Sequence, residues 1–347
     1  MKAAVFIEPG KVEVKEVLKP QIDGKNQAII RIVRASVCGS DLWWYRGISE
    51  RQTDTLIGHE AIGVVEETSA DVDNIKVGDF VVVPFTHGCG HCVACLNGFE
   101  GNCLNQKPGN NGGYQAEFMK YEPANSGLVK IPGKPDDYPD EQLASFQTLS
   151  DVMATGYHAA VSAEVQKGST VAVIGDGAVG LCGVIGAKLL GASKIILLSH
   201  HKNRAELGKT FGATDIVDGR GDEAIEDVLK LTKENAGADA VLECVGATSA
   251  IKQAGQIARP GAVIGRVGVP QTEPRSNQLF WKNVGLRGGI ASVTKPDKEV
   301  LLQAVLDGKI NPGKVFNKSF DLDHIKEAYD AMSNREAIKS LLIVSNK

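Results

Sequence analysis

The sequence has no stretch of about 18 uninterrupted apolar residues, so nothing in it predicts a helix that crosses a membrane. Its first residues, MKAAVFIEPGKVEV, lack the apolar core of a secretion signal. Long runs of charge of one sign are also missing, and the net charge is only -4 at pH 7. Such a charge balance gives no reason to expect nucleic acid or an acidic membrane as a partner. These absences predict a cytoplasmic protein.

The length of 347 residues exceeds what one hydrophobic core usually serves, so we expect two domains. The first part of the chain contains short β-branched strands, such as AIIRIV and DFVVVPF, separated by Gly and Pro. From about residue 150, short apolar strands such as TVAVIG and KIILLS alternate with helical segments such as NRAELGKTFG. This alternation predicts a parallel sheet covered on both faces, that is, an α/β domain beside a β domain. After about residue 285 we expect two amphipathic helices and a last strand, IKSLLIV.

Seven cysteines in a chain without an export signal favour metal ligands or reactive thiols over disulfides. Four of them lie in one glycine-rich lobe, at about residues 87–104: Cys89, Cys92, Cys95 and Cys103. At this spacing the thiolates can converge on one ion, because the intervening glycines let the backbone turn. Four sulfurs without a water position describe a closed, structural zinc site, with an iron–sulfur cluster as the alternative. Cys182 and Cys244 have apolar neighbours and are predicted to be small core residues.

A second metal site is indicated by Cys38 in VCGSDLWW and by His59 in the tripeptide GHE. Asp41 is placed to orient the imidazole of His59. A catalytic zinc ion has three protein ligands and keeps its fourth position open for water or substrate, so one further ligand is required. The alternative is that His59 is simply hydrogen-bonded.

A glycine-rich turn follows the predicted strand TVAVIG and opens a predicted helix. Gly175, Gly177 and Gly180 form the pattern G-x-G-x-x-G, in which Ala178 and Val179 separate the last two glycines. The first glycine permits the tight turn, the second lets the backbone approach a pyrophosphate, and the third lets helix and strand pack closely. Because the helix N-terminus would face the phosphates, the motif predicts a dinucleotide site, with an ordinary turn as the alternative.

Together, the CGS and GHE segments, the four-cysteine lobe and the glycine-rich turn resemble the zinc-dependent medium-chain dehydrogenase/reductase family over nearly the full chain. The resemblance implies an N-terminal GroES-like β domain, made of residues 1–149 and 288–347, and a Rossmann domain with a doubly wound parallel sheet at 150–287. It further implies that Asp151, which precedes a Thr-Gly pair in SDVMATG, is the third ligand of the catalytic zinc. Many members have Cys there, whereas a bacterial subgroup has Asp. Glu60 is implied as an alternative zinc ligand or as a hydrogen-bond acceptor beside the metal.

The resemblance also implies roles for residues around cofactor and substrate. Thr155 would contact the nicotinamide, Val267 and Val269 its carboxamide edge, and Lys339 the pyrophosphate. Trp43 stands where members often carry a proton-relaying histidine, so the relay would run from Ser40 to the cofactor ribose or directly to water. The residues expected to line the substrate pocket, with core packing as the alternative, are Trp43, Trp44 and Phe85.

The choice of dinucleotide depends on the end of the strand KIILLS. An enzyme that prefers NAD normally places Asp or Glu there, to bind the ribose 2′-hydroxyl. This chain offers a serine followed by cationic and imidazole side chains: Ser199, His200, His201, Lys202 and Arg204. Since a carboxylate would repel a 2′-phosphate and these groups would attract it, we predict a preference for NADP(H). The alternative is a permissive NAD site surrounded by solvated residues.

The sequence therefore predicts an oxidoreductase with two zinc ions per chain that transfers a hydride between NADP(H) and an alcohol, aldehyde or ketone. The alternatives are an NAD-dependent polyol or secondary alcohol dehydrogenase, a zinc-free quinone or enone reductase, and a non-catalytic nucleotide-binding scaffold. By the resemblance, we expect a homodimer or homotetramer. The segment AVIGRVG is a candidate edge strand for such pairing.

Overall fold

The computed structural model describes residues 1–105, 112–219, 221–271 and 276–345, and the chain forms two compact units. The first unit comprises Met1–Asp151 and Thr294–Lys347, and the second comprises Val152–Val293. The sequence placed the two boundaries at 149/150 and 287/288. Within the described ranges, none of the helices is both long enough and apolar enough to cross a membrane.

The first part of the first unit is dominated by strands. They are β1 (Lys2–Glu8), β2 (Lys11–Glu16), β3 (Ala28–Ser36), β4 (Thr55–Leu56), β5 (Ala61–Thr68), β6 (Phe80–Val83), β7 (Phe118–Tyr121) and β8 (Val129–Ile131). The helices here are α1 (Asp41–Tyr45), α2 (Val93–Leu96), α3 (Ala124–Gly127) and α4 (Asp140–Thr148), with short 3-10 helices at Glu100–Asn102 and Pro135–Asp137.

The second unit alternates helices and strands. Its helices are α5 (Val152–Ser162), α6 (Ala178–Leu189), α7 (Lys202–Phe211), α8 (Gly221–Lys230), α9 (Thr248–Ile257) and α10 (Ser276–Phe280). Its strands are β9 (Thr170–Ile174), β10 (Lys194–Leu198), β11 (Asp215–Val217), β12 (Ala238–Glu243), β13 (Ala258–Arg266) and β14 (Gly285–Gly288), and Lys233–Asn235 is a 3-10 helix.

The chain then returns to the first unit. This last part contains α11 (Lys295–Leu306), β15 (Phe316–Asp321), α12 (Ile325–Ser333) and β16 (Lys339–Ile343), with 3-10 helices at Pro312–Val315 and Leu322–His324. Helix α11 begins after Thr294, whose hydroxyl accepts a hydrogen bond from the backbone N–H of Asp297, the usual chemistry of an N-cap. The two predicted amphipathic helices and the last strand are thereby confirmed.

Strands of the first unit form two sheets. The smaller has the order β2-β1-β4 and is antiparallel. The larger has the order β15-β16-β3-β5-β6-β8, with β7 also paired to β3, and is antiparallel except between β15 and β16. Strand β3 is buried along nearly its whole length because both of its faces pack against the core. Since β16 pairs with β3, the C-terminal strand completes the sheet that carries Cys38 just after β3.

The second unit contains one parallel sheet of six strands in the order β11-β10-β9-β12-β13-β14. Counted along the chain this is 3-2-1-4-5-6, the order of a doubly wound dinucleotide-binding sheet. The predicted fold class of this part is therefore confirmed. Gly156 of α5 allows a close helix crossing, because a Cβ atom there would lie 2.5 Å from the backbone nitrogen of Gly183 in α6.

The segment AVIGRVG does not form an edge of this sheet, so that prediction was wrong. Strand β13, which contains most of it, pairs with β12 on one side and with β14 on the other. The order instead ends at β14, whose sequence Gly-Leu-Arg-Gly has neither the alternation nor the β-branched residues that predict a strand. In the described part of the chain, β11 and β14 are thus the two outer strands.

Candidate active site and metal centres

The four-cysteine lobe brings its sulfur atoms together around one point. The Sγ atom of Cys92 lies 3.5 Å from that of Cys95 and 3.9 Å from that of Cys103, and Cys89 completes a group whose four sulfurs all lie within 4.8 Å of one another. A tetrahedral zinc ion with Zn–S bonds of about 2.3 Å would separate its sulfurs by about 3.8 Å. The sulfurs therefore fit a single zinc ion.

Hydrogen-bond donors lie close to two of these sulfurs and favour the thiolate form of Cys89. The side-chain amide of Asn105 donates to Cys89 Sγ at 3.2 Å, and the backbone N–H of Cys89 donates to Cys103 Sγ at 3.3 Å. Burial raises the pKa of the Cys89 thiol, but hydrogen bonds from the backbone of His91 and the side chain of Asn105 outweigh it and lower that pKa to about 6. A thiolate is the form that binds zinc.

The second cluster is built by three separate segments of the first unit. Cys38 follows β3, His59 and Glu60 precede β5, and Asp151 follows α4. The Oδ2 atom of Asp151 lies 3.3 Å from Cys38 Sγ and 3.6 Å from His59 Nε2, and the donor atoms of all four residues lie within 4.8 Å of one another. The sequence-predicted ligands thus lie together in space.

This donor set also fits zinc. A thiolate, an imidazole and a carboxylate at bond lengths of about 2.0–2.3 Å would be about 3.3–3.8 Å apart around a tetrahedral ion. The carboxylate of Asp151 lies at such distances from both Cys38 Sγ and His59 Nε2. Burial and the neighbouring charge of Asp151 raise the pKa of the Cys38 thiol to about 11, so a cation is needed to keep Cys38 as a thiolate. Asp41 fixes the other side of the imidazole, with its Oδ1 atom 3.5 Å from His59 Nδ1, and its Oδ2 atom accepts the backbone N–H of Cys38 at 3.0 Å.

Glu60 is fully buried and is held by residues that sequence reasoning did not assign to it. The hydroxyl of Ser36 donates to Glu60 Oε2, and Lys339 Nζ donates to Glu60 Oε1 at 2.7 Å. Gln147 in turn donates from Nε2 to Ser36 Oγ at 2.9 Å. Glu60 Oε1 lies 3.9 Å from His59 Nε2, so the carboxylate lies beside the metal cluster while it accepts both hydrogen bonds. Ser36, Gln147 and Lys339 are far apart in sequence, and no local pattern connects them.

Lys339 was expected at the cofactor pyrophosphate. Its ammonium is 1% exposed and donates to Glu60 and to the carbonyl oxygen of Val37, at 3.0 Å. Although burial lowers the pKa of Lys339, the negative charges of Glu60, Cys38 and Asp151 raise it above the ordinary value. A contact with the pyrophosphate stays a prediction.

The expected pocket residues have different environments. Trp44 is 7% exposed and packs against Phe6 and Tyr329, with ring centroids 5.1 and 5.4 Å apart. Trp44 is therefore a core residue of the first unit. Phe85 lies beside the cluster, its ring centroid 5.7 Å from that of His59, whereas Trp43 is half-buried and Ser40 is exposed.

The glycine-rich turn connects β9 to α6 in the second unit. Gly175 has φ of 109°, which favours glycine, and a Cβ atom on Gly180 would lie 1.9 Å from the carbonyl oxygen of Gly175. A Cβ atom on Gly177 would meet nothing within 4 Å, so the backbone there is open to a close approach. Ala178 and Val179 begin α6, and the N–H groups of this first turn have no partner within the helix.

Further predicted cofactor residues lie elsewhere in the second unit. Val267 and Val269 follow β13, at the carboxyl end of the sheet, where ligands of such folds bind. Val269 is exposed, and Thr155 is buried in α5.

The predicted 2′-phosphate site at the end of β10 contains a carboxylate that sequence reasoning missed. Asp176, the second residue of the glycine-rich motif, accepts a hydrogen bond from Ser199 Oγ at 2.8 Å. The same carboxylate lies 2.9 Å from His201 Nδ1 and accepts one from Arg204 at 3.3 Å. His200 instead faces Asp218, and Lys202 is exposed at the start of α7. The one available signal was the acidic residue in GDGAVG.

Both the N-terminal part and the central part of the chain match families of known proteins. Residues 24–133 match the family described as alcohol dehydrogenase GroES-like domain, and residues 178–304 match the family described as zinc-binding dehydrogenase. These matches confirm the predicted combination of a GroES-like and a Rossmann domain. Together with the two clusters, they support two zinc ions per chain.

Individual relatives cover almost all of the sequence. The uncharacterized zinc-type alcohol dehydrogenase-like protein AdhB of Bacillus subtilis is 32% identical, over 99% of this chain and 100% of its own. The NADP-dependent isopropanol dehydrogenase of Clostridium beijerinckii is 30% identical, over 93% of this chain and 94% of its own. Among solved structures, the alcohol dehydrogenase TADH from Thermus sp. ATN1 has a TM-score of 0.89 and 30% identity, over 99% of this chain and 100% of its own.

Proposed function

This chain belongs to the zinc-dependent medium-chain alcohol dehydrogenase family, and we propose that it transfers a hydride between NADP(H) and an alcohol, aldehyde or ketone. The observation that carries this proposal is the convergence of Cys38, His59 and Asp151, from three distant segments, on one point. A zinc ion held there would act as a Lewis acid and lower the pKa of the substrate hydroxyl. The transferred hydride is the chemistry of the nicotinamide.

The protein's own residues position this ion and move the proton. Asp41 holds the imidazole of His59 at Nδ1, which leaves Nε2 directed at the cluster. Ser36 and Lys339 hold Glu60 as an acceptor beside it. Because Trp43 carries no titratable group, the proton would pass to the exposed Ser40, whose hydroxyl gives its own proton to the cofactor ribose, or directly to water. Phe85 and Trp43 line the substrate side and favour small to medium apolar substrates.

The four-cysteine site has a structural role in this proposal. It offers four thiolates and no open position, so it braces the lobe rather than taking part in the reaction.

The proposed preference for NADP(H) rests on the groups that follow β10. The hydroxyl of Ser199 lies at this position, and His200, His201, Lys202 and Arg204 can supply positive charge to a 2′-phosphate. The NADP dependence stated for the Clostridium beijerinckii relative supports the same choice. The ratio of kcat/KM for NADP+ to that for NAD+ tests it, and a ratio of one or less would contradict the proposal.

We also propose that the chain works as a homodimer or homotetramer in the cytoplasm, where thiolate ligands stay reduced. The outer strand β14 offers unpaired backbone groups for an identical strand. Just before it, Phe280 and Trp281 are 71% and 81% exposed, an unusual exposure for two adjacent aromatic residues. Light scattering after gel filtration measures the mass of the assembly. If the Trp281→Glu variant forms an assembly of the same mass, the proposal that this surface is the subunit interface is wrong.

A substrate scan tests the central proposal. Zinc per chain is counted, and a panel of alcohols, aldehydes and ketones is assayed by NADPH oxidation or formation. Two zinc ions with turnover support the proposal. Turnover of quinones or enones without a catalytic zinc would indicate a zinc-free reductase, and one zinc ion without turnover would indicate a non-catalytic scaffold.

A further inference from the structure

The carboxylate of Asp176 lies at the point where the glycine-rich turn meets the end of β10. Its Oδ2 atom accepts the hydroxyl of Ser199 at 2.8 Å and lies 2.9 Å from His201 Nδ1, and its Oδ1 atom accepts from Arg204 at 3.3 Å. Asp176 and Arg204 each expose only 14% of the side chain, and Ser199 is 2% exposed. The side chains of Ser199, His201 and Arg204, which best suit a 2′-phosphate, therefore already contact the carboxylate of Asp176.

This arrangement replaces the carboxylate that β10 lacks. In doubly wound sheets the pyrophosphate lies on the glycine-rich turn, and the adenosine ribose points its 2′ position at the end of the second strand. An acidic side chain at that strand end normally accepts the 2′-hydroxyl of NAD. Here Ser199 follows the strand, and Asp176 of the glycine-rich turn brings a carboxylate to the same strand end, where it accepts the hydroxyl of Ser199.

The charge of Asp176 has opposite effects on the affinities for NAD(H) and NADP(H). It would accept a hydrogen bond from a ribose 2′-hydroxyl, which favours NAD(H). It also neutralises Arg204 and repels the negative charge of a 2′-phosphate, which disfavours NADP(H). Burial raises the pKa of Asp176, but hydrogen bonds from His201 and Ser199 and the charge of Arg204 hold it below the ordinary value, so the carboxylate is ionised at neutral pH.

We propose that Asp176 is the residue that limits cofactor selectivity: its carboxylate accepts the 2′-hydroxyl of NAD(H) and offsets Arg204, so that the protein binds both dinucleotides and favours NADP(H) only weakly. This inference rests on the proposed dehydrogenase function for its biological meaning. The effect of Asp176 on dinucleotide binding can be measured without any turnover.

The test measures binding without a substrate. Dissociation constants of NADPH and NADH are obtained from nicotinamide fluorescence for the wild-type and Asp176→Asn proteins. The ratio of the NADH constant to the NADPH constant should rise about tenfold to hundredfold in the variant, because one charged hydrogen bond to the ribose is lost and one repulsion is relieved. The control Asp227→Asn removes the same charge from the exposed pair with Lys230 on α8 and should leave the ratio within about twofold.

A second measurement needs no variant. The wild-type protein should bind AMP and adenosine 2′,5′-bisphosphate, which differ only in the 2′-phosphate, with constants that differ by less than about tenfold. A preference above about a hundredfold for the 2′-phosphorylated ligand would overturn the inference, as would an Asp176→Asn ratio that stays constant or falls. A fall would mean that Asp176 only orders Ser199 and Arg204 for the phosphate.

The inference and the proposed function fail differently. If the ratio rises in Asp176→Asn but no alcohol or carbonyl compound is turned over, the inference holds and the proposed function is wrong. If turnover is found and the ratio does not rise, the proposed function holds and the inference is wrong.

Discussion

The buried pair formed by Lys339 and Glu60 gives the most direct test of how the catalytic cluster is supported. The two side chains are 1% and 0% exposed, and their charged atoms are 2.7 Å apart. Replacing Lys339 with Met removes the ammonium and leaves the carboxylate of Glu60 buried, with the Ser36 hydroxyl as its other hydrogen-bond donor. Breaking a buried pair in this way costs about 3–5 kcal/mol of unfolding free energy.

The expected loss is large enough to measure by calorimetry. For a domain of about 150–250 residues, each kcal/mol corresponds to about 2–4 °C, so the melting transition of the first unit should fall by about 6–20 °C in the zinc-loaded Lys339→Met protein. The double variant Glu60→Gln with Lys339→Met removes both charges and should recover most of that loss. A control, Lys120→Met, removes a half-exposed lysine paired with Asp23 and should cost less than about 1 kcal/mol.

Two results would refute this reasoning. A fall of less than about 2 °C in Lys339→Met would show that the pair contributes no more than a surface ion pair. A double variant that is no more stable than Lys339→Met would show that the lysine acts through packing rather than through the charge of Glu60.

Three further predictions concern the four-cysteine lobe, Ser40 and the glycine-rich turn. The Cys103→Ser protein should bind one zinc ion and melt at a lower temperature, because its lobe loses the stabilising metal. The control Cys182→Ser should keep two zinc ions. Equal zinc contents in the two variants would contradict the closed site. Ser40→Ala should lower kcat by about a hundredfold and Ser40→Thr should restore most of it, since either hydroxyl can accept the substrate proton while it gives its own to the cofactor ribose or water. An unchanged kcat in the alanine variant would exclude this relay. Gly177→Ala should melt like the wild-type protein, because its Cβ meets nothing in the protein, yet bind NADPH more than about tenfold more weakly; unchanged binding would place the pyrophosphate elsewhere.

Features that are local in sequence were predictable, and features that depend on long-range packing were not. The four cysteines and the glycine-rich turn each lie within one short segment, where spacing alone limits the chemistry. The doubly wound sheet followed from apolar strands that alternate with helices. Asp151, by contrast, was identified only through resemblance to a family, because nothing in SDVMATG itself indicates a metal ligand.

The residues that support the site depend on tertiary structure. Ser36, Gln147 and Lys339 meet at Glu60 only after β16 pairs with β3 and α4 packs nearby, and no periodicity predicts such a meeting. The role of Asp176 could not be read from the glycine-rich motif, because its side chain reaches the end of another strand only in the folded sheet. Strand β14 was overlooked because a Gly-Leu-Arg-Gly segment gains its strand conformation from pairing with β13.

The zinc content of the Asp151→Ala variant tests the central claim most directly. Zinc per chain is measured by elemental analysis for the wild-type protein, for Asp151→Ala and for the control Asp136→Ala, an exposed aspartate of the same unit. Turnover with NADPH is recorded on the same samples. Two zinc ions in the wild-type and control proteins, and one zinc ion without turnover in Asp151→Ala, are the predicted results. Two zinc ions and unchanged turnover in Asp151→Ala would contradict the assignment of the catalytic metal centre.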